Sequence, residues 1–110
     1  MTINSKYVAL KNYIPLGLPK EIDFEIKSRV LELNDENNIH VKNSWISVDP
    51  YMRARMTERK NYKPPFNLGE EMEGYAIGTV EQSNSNSFNR GDVVFSNYGM
   101  RDNFICNEKD

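Results

Sequence analysis

The sequence predicts a mainly β domain, either a small barrel or a sandwich. Short stretches in which apolar and polar residues alternate are separated by turn residues along most of the chain. Almost no stretch places apolar residues at helical spacing, so very little helix is expected. With 110 residues, the chain is long enough for one domain and too short for two. Many short strands with frequent turns favour a barrel or sandwich over a helical architecture.

Two strands are predicted in the first third of the chain. Residues 6–13 contain a run of apolar and aromatic side chains, and a turn-rich stretch follows them. Residues 23–33 alternate Phe24, Ile26 and then Val30 with polar partners. This alternation is typical of a strand that buries one face, so all three side chains are expected on the buried side.

The third predicted strand spans residues 39–48. Its alternation places Ile39, Val41 and Trp45 on one face, and it places His40 on the opposite face, where a solvated side chain is expected. The three large apolar side chains therefore predict that this strand contributes to the core.

The stretch that follows the third strand predicts a strand end and a helical turn. Pro50 cannot donate to a sheet ladder and biases Asp49 away from helical geometry, so the strand is expected to stop here. Asp49 is then expected to cap a short helix that has Pro50 at its first position and "YMRARM" (51–56) as its turn. Residues 57–69, which include two adjacent prolines, are predicted to be irregular.

The remaining strands lie in the second half of the chain. Residues 72–82 read as a strand that contains Gly74 and Gly78, and a glycine inside a strand marks a bulge, a barrel corner or a close backbone approach. Residues 90–99 predict a turn followed by a strand, and residues 101–110 begin another one.

Charge and residue counts exclude several function classes. Lys and Arg number 14 against 16 Asp and Glu, so the net charge of −2 does not indicate nucleic-acid or membrane partners. No apolar run approaches the ~20 residues of a membrane span. Cys106, the only cysteine, is expected to be a small core residue, and the lack of any internal disulfide fits the cytoplasm. Because His40 is the only histidine, no metal site is expected.

Two tyrosines are candidates for a binding site. Tyr51 directly follows Pro50 at a strand end, and Tyr75 follows a glycine in the next predicted strand. A tyrosine on a rigid turn suits a pocket, because its ring is apolar and its hydroxyl can donate to a ligand carbonyl. Packing at a barrel edge explains the same pattern equally well, so the residues by themselves leave both interpretations open.

Three stretches resemble one known family. "VKNSWISVDPYMRARM" (41–56) is similar to V-K-N-x-x-x-S-x-D-P-Y-M-R-x-R-M of the zinc-independent medium-chain dehydrogenase/reductase superfamily. "KYVALKNYIPLGLPKEIDFEI" resembles the start of the same proteins, and "MEGYAIGTV" with "NRGDVVFSNYGMRDNFIC" resembles their later strands. The most similar subgroup is the NADPH-dependent alkenal or one double-bond reductases, which include plant 2-alkenal, prostaglandin and curcumin reductases.

The resemblance implies a fold and a domain assignment. Residues 1–110 are expected to form the N-terminal part of a GroES-like, partly open β-barrel, with the Rossmann NADP-binding domain absent from this chain. Zinc-dependent relatives carry a cysteine where this chain has Asp49 and a histidine near its "EEMEG" stretch (70–74). The resemblance therefore also implies that no zinc is bound.

The resemblance also implies an activity, which is hydride transfer from NADPH to the C=C bond of small α,β-unsaturated aldehydes or ketones. Pro50 and Tyr51 match family residues at the nicotinamide, Tyr51 is the catalytic candidate, and Tyr51 and Tyr75 match residues that face the substrate. A homodimer is expected of the intact protein, and the 110 residues alone are expected to be inactive. The alternatives are NADPH-dependent quinone reduction and a non-catalytic β-barrel binding module.

Overall fold

The protein is mainly β, as predicted. The computed structural model describes residues 2–58 and 64–110, so part of the irregular segment predicted at 57–69 lies outside the described residues. In chain order the strands and the helix are β1 (Thr2–Leu10), β2 (Phe24–Glu32), β3 (Asn38–Ile46), α1 (Tyr51–Ala54), β4 (Ala76–Ser83), β5 (Val93–Ser96) and β6 (Asn103–Asn107). A 3₁₀ turn at Glu21–Asp23 precedes β2. In the described ranges, no helix has the length and apolar character needed to cross a membrane.

The strands form two antiparallel sheets that do not close into a barrel. One sheet pairs β1 with β2, and the other has the order β5-β4-β3-β6. The sheets meet where β1 approaches β6, with an isolated bridge between Tyr7 and Arg101 and a bond from the Asp102 N–H to the Lys6 carbonyl. The expectation of a partly open barrel is therefore confirmed.

A bulge in β3 overturns the predicted position of Trp45. The register pairs Asn43 with Gly78 and Trp45 with Ile77, so Ser44 is an extra residue in β3. One extra residue moves every later side chain to the other face of the sheet. Trp45 is consequently 75% exposed, whereas Val41 before the bulge is fully buried.

The prediction of a buried apolar row on β2 is wrong for Ile26 and Val30, whereas Phe24 is partly buried and packs on the core. Ile26 pairs with Val8 and Val30 pairs with Asn4, so both side chains lie on the face of the β1-β2 sheet that β1 does not bury. The face that β1 buries carries Tyr7 and, opposite it on β2, Lys27. Ile26 and Val30 are therefore exposed, because alternation specifies two faces without specifying which of them meets the core.

Two hydrophobic clusters form the core. The first contacts α1 and consists of Leu10, Ile14, Met52, Met56, Phe66 and Met72. The second lies on the four-stranded sheet and consists of Ile39, Val41, Val80, Phe104 and Cys106. Cys106 is thus a core residue, as expected, and its burial raises the pKa of the thiol to about 11. The thiol stays protonated at neutral pH and is a poor nucleophile there.

The expectation that His40 is solvated is wrong. His40 is only 8% exposed, and its Nε2 lies 2.9 Å from Asn103 Oδ1. Asn103 also bonds to β1, because its backbone carbonyl accepts from the Ser5 hydroxyl at 2.6 Å. His40 is therefore buried at the point where Asn103 of β6 links β3 to β1, whereas Lys42 on the same side of β3 is exposed, as predicted.

Candidate functional site

The Asp49-Pro50 turn sets the direction of α1. Both carboxylate oxygens of Asp49 lie within hydrogen-bond distance of the Ser47 hydroxyl, at 2.8 and 2.9 Å. The backbone N–H of Met52 donates to the Asp49 carbonyl, and Pro50 occupies the N-cap position with no side-chain capping bond. The expected Asp49 side-chain cap is therefore wrong, because the carboxylate is directed towards Ser47 instead.

Close packing at Gly74 brings the second tyrosine next to α1. A Cβ added at Gly74 would meet Cε of Met52, and a Cβ added at Gly99 would lie 2.6 Å from the Gly74 carbonyl oxygen. The Ser47 N–H donates to the Tyr75 carbonyl at 2.9 Å. Gly74 lies just before β4 and not inside a strand as predicted, and of the three predicted alternatives the structure shows a close backbone approach, to Gly99. Tyr75 follows it and lies beside Tyr51.

The side chains of Tyr51, Tyr75 and Phe95 form an aromatic row. The rings of Tyr51 and Tyr75 have centroids 6.3 Å apart and meet edge to face at 62°. Tyr75 in turn stacks on Phe95, with centroids 5.4 Å apart and ring planes 22° apart. The two predicted site tyrosines are therefore neighbours. Phe95 was missed by the sequence reasoning, because only the pairing of β4 with β5 reveals its position.

Pro50 is exposed and directly precedes Tyr51. It borders an apolar cavity of about 430 Å³ that is also lined by Val48, Met52, Met72 and Met100. The exposed Pro50 ring thus borders this cavity and directly precedes Tyr51, the first residue of the aromatic row.

The environment of Tyr51 favours its protonated form. Burial raises the pKa of its hydroxyl, and the carboxylate of Asp49 and the nearby Tyr75 raise it further. Its usual pKa is already near 10, so the hydroxyl remains a hydrogen-bond donor throughout the neutral range. A phenol that keeps its proton suits the stabilisation of negative charge on a neighbouring oxygen.

Both arginines of the "YMRARM" stretch connect the α1 region to other segments of the chain through hydrogen bonds. Arg53 donates through Nε and Nη2 to the Gly17 carbonyl, at 3.1 and 2.9 Å. Arg55 is 6% exposed, donates to the Pro64 carbonyl at 2.7 Å and has its guanidinium 4.2 Å from the centre of the Phe66 ring. These roles follow from contacts with distant parts of the chain, so the sequence pattern did not reveal them.

Replacing Arg55 with alanine is expected to lower the free energy of unfolding by about 2 kcal/mol, since it removes packing on Phe66 and leaves the Pro64 carbonyl without its donor. Arg55 also pairs with Glu73 at 3.2 Å, but the Glu73 side chain is 49% exposed. Glu73→Gln is the matched control and should cost less than about 1 kcal/mol. Urea unfolding followed by circular dichroism measures both. Equal losses in the two variants would contradict a packing role for Arg55.

The described part of the chain holds no group of three or more His, Cys, Asp or Glu side chains arranged for a metal ion. The carboxylate of Asp49 is engaged with Ser47, as described above. The site therefore combines the exposed aromatic rings of Tyr75 and Phe95 with the neighbouring Tyr51 phenol, whose hydroxyl oxygen is buried in this structure.

Comparisons with known proteins identify the family and the fold of the chain. Residues 6–110 match the family described as the N-terminal domain of oxidoreductase. An NADP(+)-dependent 2-alkenal reductase of Nicotiana tabacum is 38% identical over 104 residues, which cover 91% of this chain and 30% of that protein. An NADPH-dependent curcumin reductase of Escherichia coli is 30% identical over 96 residues, which cover 87% of this chain and 28% of that protein.

A solved structure of CurA from Vibrio vulnificus in complex with NADPH has the same fold. It matches with a TM-score of 0.85 and 29% identity, and the match covers 92% of this chain and 30% of CurA. The chain thus spans under a third of the length of these relatives. The match over residues 6–110, together with the shared fold, shows that the chain belongs to the family of oxidoreductase N-terminal domains and confirms its resemblance to the alkenal and curcumin reductases.

Proposed function

We propose that this chain is the N-terminal part of an NADPH-dependent reductase of the C=C bond in α,β-unsaturated aldehydes and ketones. The observation that carries the proposal is the contact between Tyr51 and Tyr75 at the start of α1. It places a protonated phenol beside an exposed aromatic wall, which suits a small apolar substrate with a carbonyl group. The names of the tobacco and E. coli relatives support the same reaction class.

The residues of this chain would act on the substrate rather than supply the electrons. NADPH, when bound, supplies the hydride for the alkene. Addition of the hydride at the β-carbon would place negative charge on the carbonyl oxygen as an enolate, and the Tyr51 hydroxyl would donate a hydrogen bond to that oxygen. A proton from water at the α-carbon would then give the saturated product. Tyr75 forms the wall against which the carbon skeleton of the substrate lies. Pro50 and Tyr51 border the nicotinamide ring.

The residues present fit one end of the cofactor. The exposed part of the aromatic row offers flat apolar surface that suits a nicotinamide ring. The pyrophosphate of a dinucleotide is normally held at the N-terminus of a longer helix, and the one α-helix among the described residues, α1, has four residues. We therefore assign only the nicotinamide end to this chain and place the phosphates on another part of the intact protein.

The same proposal includes the substrate, the oligomeric state and the cellular compartment of the intact protein. The partner is a small enal or enone, and a homodimer in the cytoplasm is the state that we propose for the intact protein. The free thiol of Cys106 is compatible with that reducing compartment.

A substrate panel tests the proposed reaction. The purified full-length protein is mixed with NADPH and with 2-alkenals, enones or small quinones, and the loss of NADPH absorbance and the products are followed. Turnover is expected with alkenals and enones, with a saturated aldehyde or ketone as product. Turnover restricted to quinones would replace the proposal by its quinone-reductase alternative, and no turnover with any of the three would favour a binding module.

The 110-residue chain is expected to be inactive in the same assay. It spans 30% of the tobacco relative, and by the assignment above it holds only the nicotinamide end of NADPH. Measurable NADPH oxidation with an enone by these residues alone would contradict that assignment.

A further inference from the structure

Phe95 is a large apolar side chain that the core does not use. It lies on β5 and is 69% exposed, and neither core cluster includes it. Its ring stacks on that of Tyr75 at 5.4 Å. An exposed phenylalanine gains little from burial, so the stacking contact is the main interaction that its ring makes here.

The register of the sheet explains why this ring reaches Tyr75. Phe95 is directly opposite Ile77, and Tyr75 is two residues before Ile77, just outside the start of β4 at Ala76. Residues two apart on extended backbone point to the same side, so Tyr75 and Phe95 are diagonal neighbours on one face. Gly74 on the other side of Tyr75 contributes no side chain. The Tyr75 ring is therefore held between the rings of Tyr51 and Phe95.

We propose that Phe95 is a positioning residue, which holds the Tyr75 ring edge-on to Tyr51 and so sets the shape of the substrate wall. This inference rests on the proposed function, in which Tyr75 lines the substrate site. In this proposal Phe95 acts through the Tyr75 ring, on which it stacks, and makes no bond to the substrate carbonyl oxygen. Its loss therefore affects how tightly an enone binds and leaves the rate of the chemical step nearly unchanged.

Three variants separate positioning from general stability. Phe95→Leu removes the stacked ring, and Phe95→Tyr keeps it. Val93→Ala is the matched control, because Val93 lies on the same face of β5 and is 73% exposed, opposite Thr79 and away from Tyr75. An aromatic pair is worth a few-fold to about tenfold in an equilibrium constant. We expect Phe95→Leu to weaken enone binding about fivefold, with Phe95→Tyr and Val93→Ala close to wild type.

The experiment uses the full-length protein with Tyr75→meta-fluorotyrosine as a reporter. Fluorine NMR follows the reporter while benzylideneacetone, an enone, is added in the presence of oxidised NADP, which has no hydride to transfer. The titration gives a dissociation constant that does not depend on turnover. Steady-state rates with NADPH, measured on proteins with unmodified Tyr75, then give KM and kcat for each variant at position 95.

The expected result is that Phe95→Leu shifts the fluorine signal and raises both the dissociation constant and KM about fivefold, while kcat stays within about twofold. An unshifted signal, or a shifted signal with unchanged enone binding, would overturn the positioning role. Binding that depends on Phe95 without any reduction by NADPH would overturn the proposed reaction and leave the positioning role standing. No binding of the enone by the wild type would overturn both.

Discussion

Tyr51→Phe is expected to lower kcat/KM for enone reduction by the full-length protein about 100-fold, with little change in thermal stability. Loss of a single donor to a developing oxyanion typically costs two to three orders of magnitude in rate, and we take the lower end of that range. The ring of Tyr51 remains in the variant, so its contact with Tyr75 and the position of α1 are retained. Steady-state rates and a melting curve measure the two quantities.

Tyr75→Phe is the matched control for Tyr51→Phe. Both variants lose one phenolic hydroxyl and keep the ring, but in the proposed mechanism Tyr75 lines the wall and donates no bond to the enolate oxygen. We expect the Tyr75→Phe variant to stay within about threefold of wild type in kcat/KM. An unaltered kcat/KM in Tyr51→Phe would remove Tyr51 from the chemistry.

The donor role proposed for Tyr51 also predicts how the effect of Tyr51→Phe depends on pH. Because burial and Asp49 raise the pKa of Tyr51, its hydroxyl loses the proton only above the usual value near 10. Below that pH the donor is present in full, and it disappears as the pH rises through the raised pKa. The ratio of wild-type to Tyr51→Phe activity should therefore stay constant from about pH 6 to 9. A ratio that falls within this window would contradict the assignment.

Gly78→Ala is expected to destabilise the fold by about 3 kcal/mol, the largest loss that we expect from adding one methyl group. The added Cβ would lie 2.7 Å from the Lys42 carbonyl oxygen, 2.7 Å from Cγ1 of Val41 and 2.9 Å from Oδ1 of Asn43. One of the two nearest atoms, the Lys42 carbonyl oxygen, belongs to the backbone of β3, so relieving the clash requires the two central strands to separate. Urea unfolding followed by circular dichroism measures the loss.

Gly91→Ala is the control for Gly78→Ala. Gly91 has φ of +94° and nothing within 4 Å of an added Cβ, so the substitution strains the turn without a steric clash. This strain should cost about 1 kcal/mol. A loss at Gly78 no larger than the loss at Gly91 would show that close approach of β3 and β4 is not what position 78 requires.

The sequence by itself determined the class of fold and most of the strands. Alternation and turn residues located β2 and β3 to within about two residues, because strand formation depends on local spacing of apolar side chains and on turn residues. β1 begins earlier than predicted, at Thr2, because its polar first residues pair with the end of β2 at Glu32. The family resemblance and the lack of zinc-ligand residues also followed from the sequence, since both depend only on which residues are present.

Only the tertiary structure decided which faces are buried and which side chains meet. One extra residue at Ser44 exposes Trp45, and His40 is buried with its ring against Asn103 of β6, although simple alternation assigns both the opposite way. The contacts that build the candidate site join residues 51, 75 and 95, which are far apart in sequence. Local pattern carries no information about such contacts, because they depend on strand register and on how closely Gly74 and Gly78 let the backbone approach.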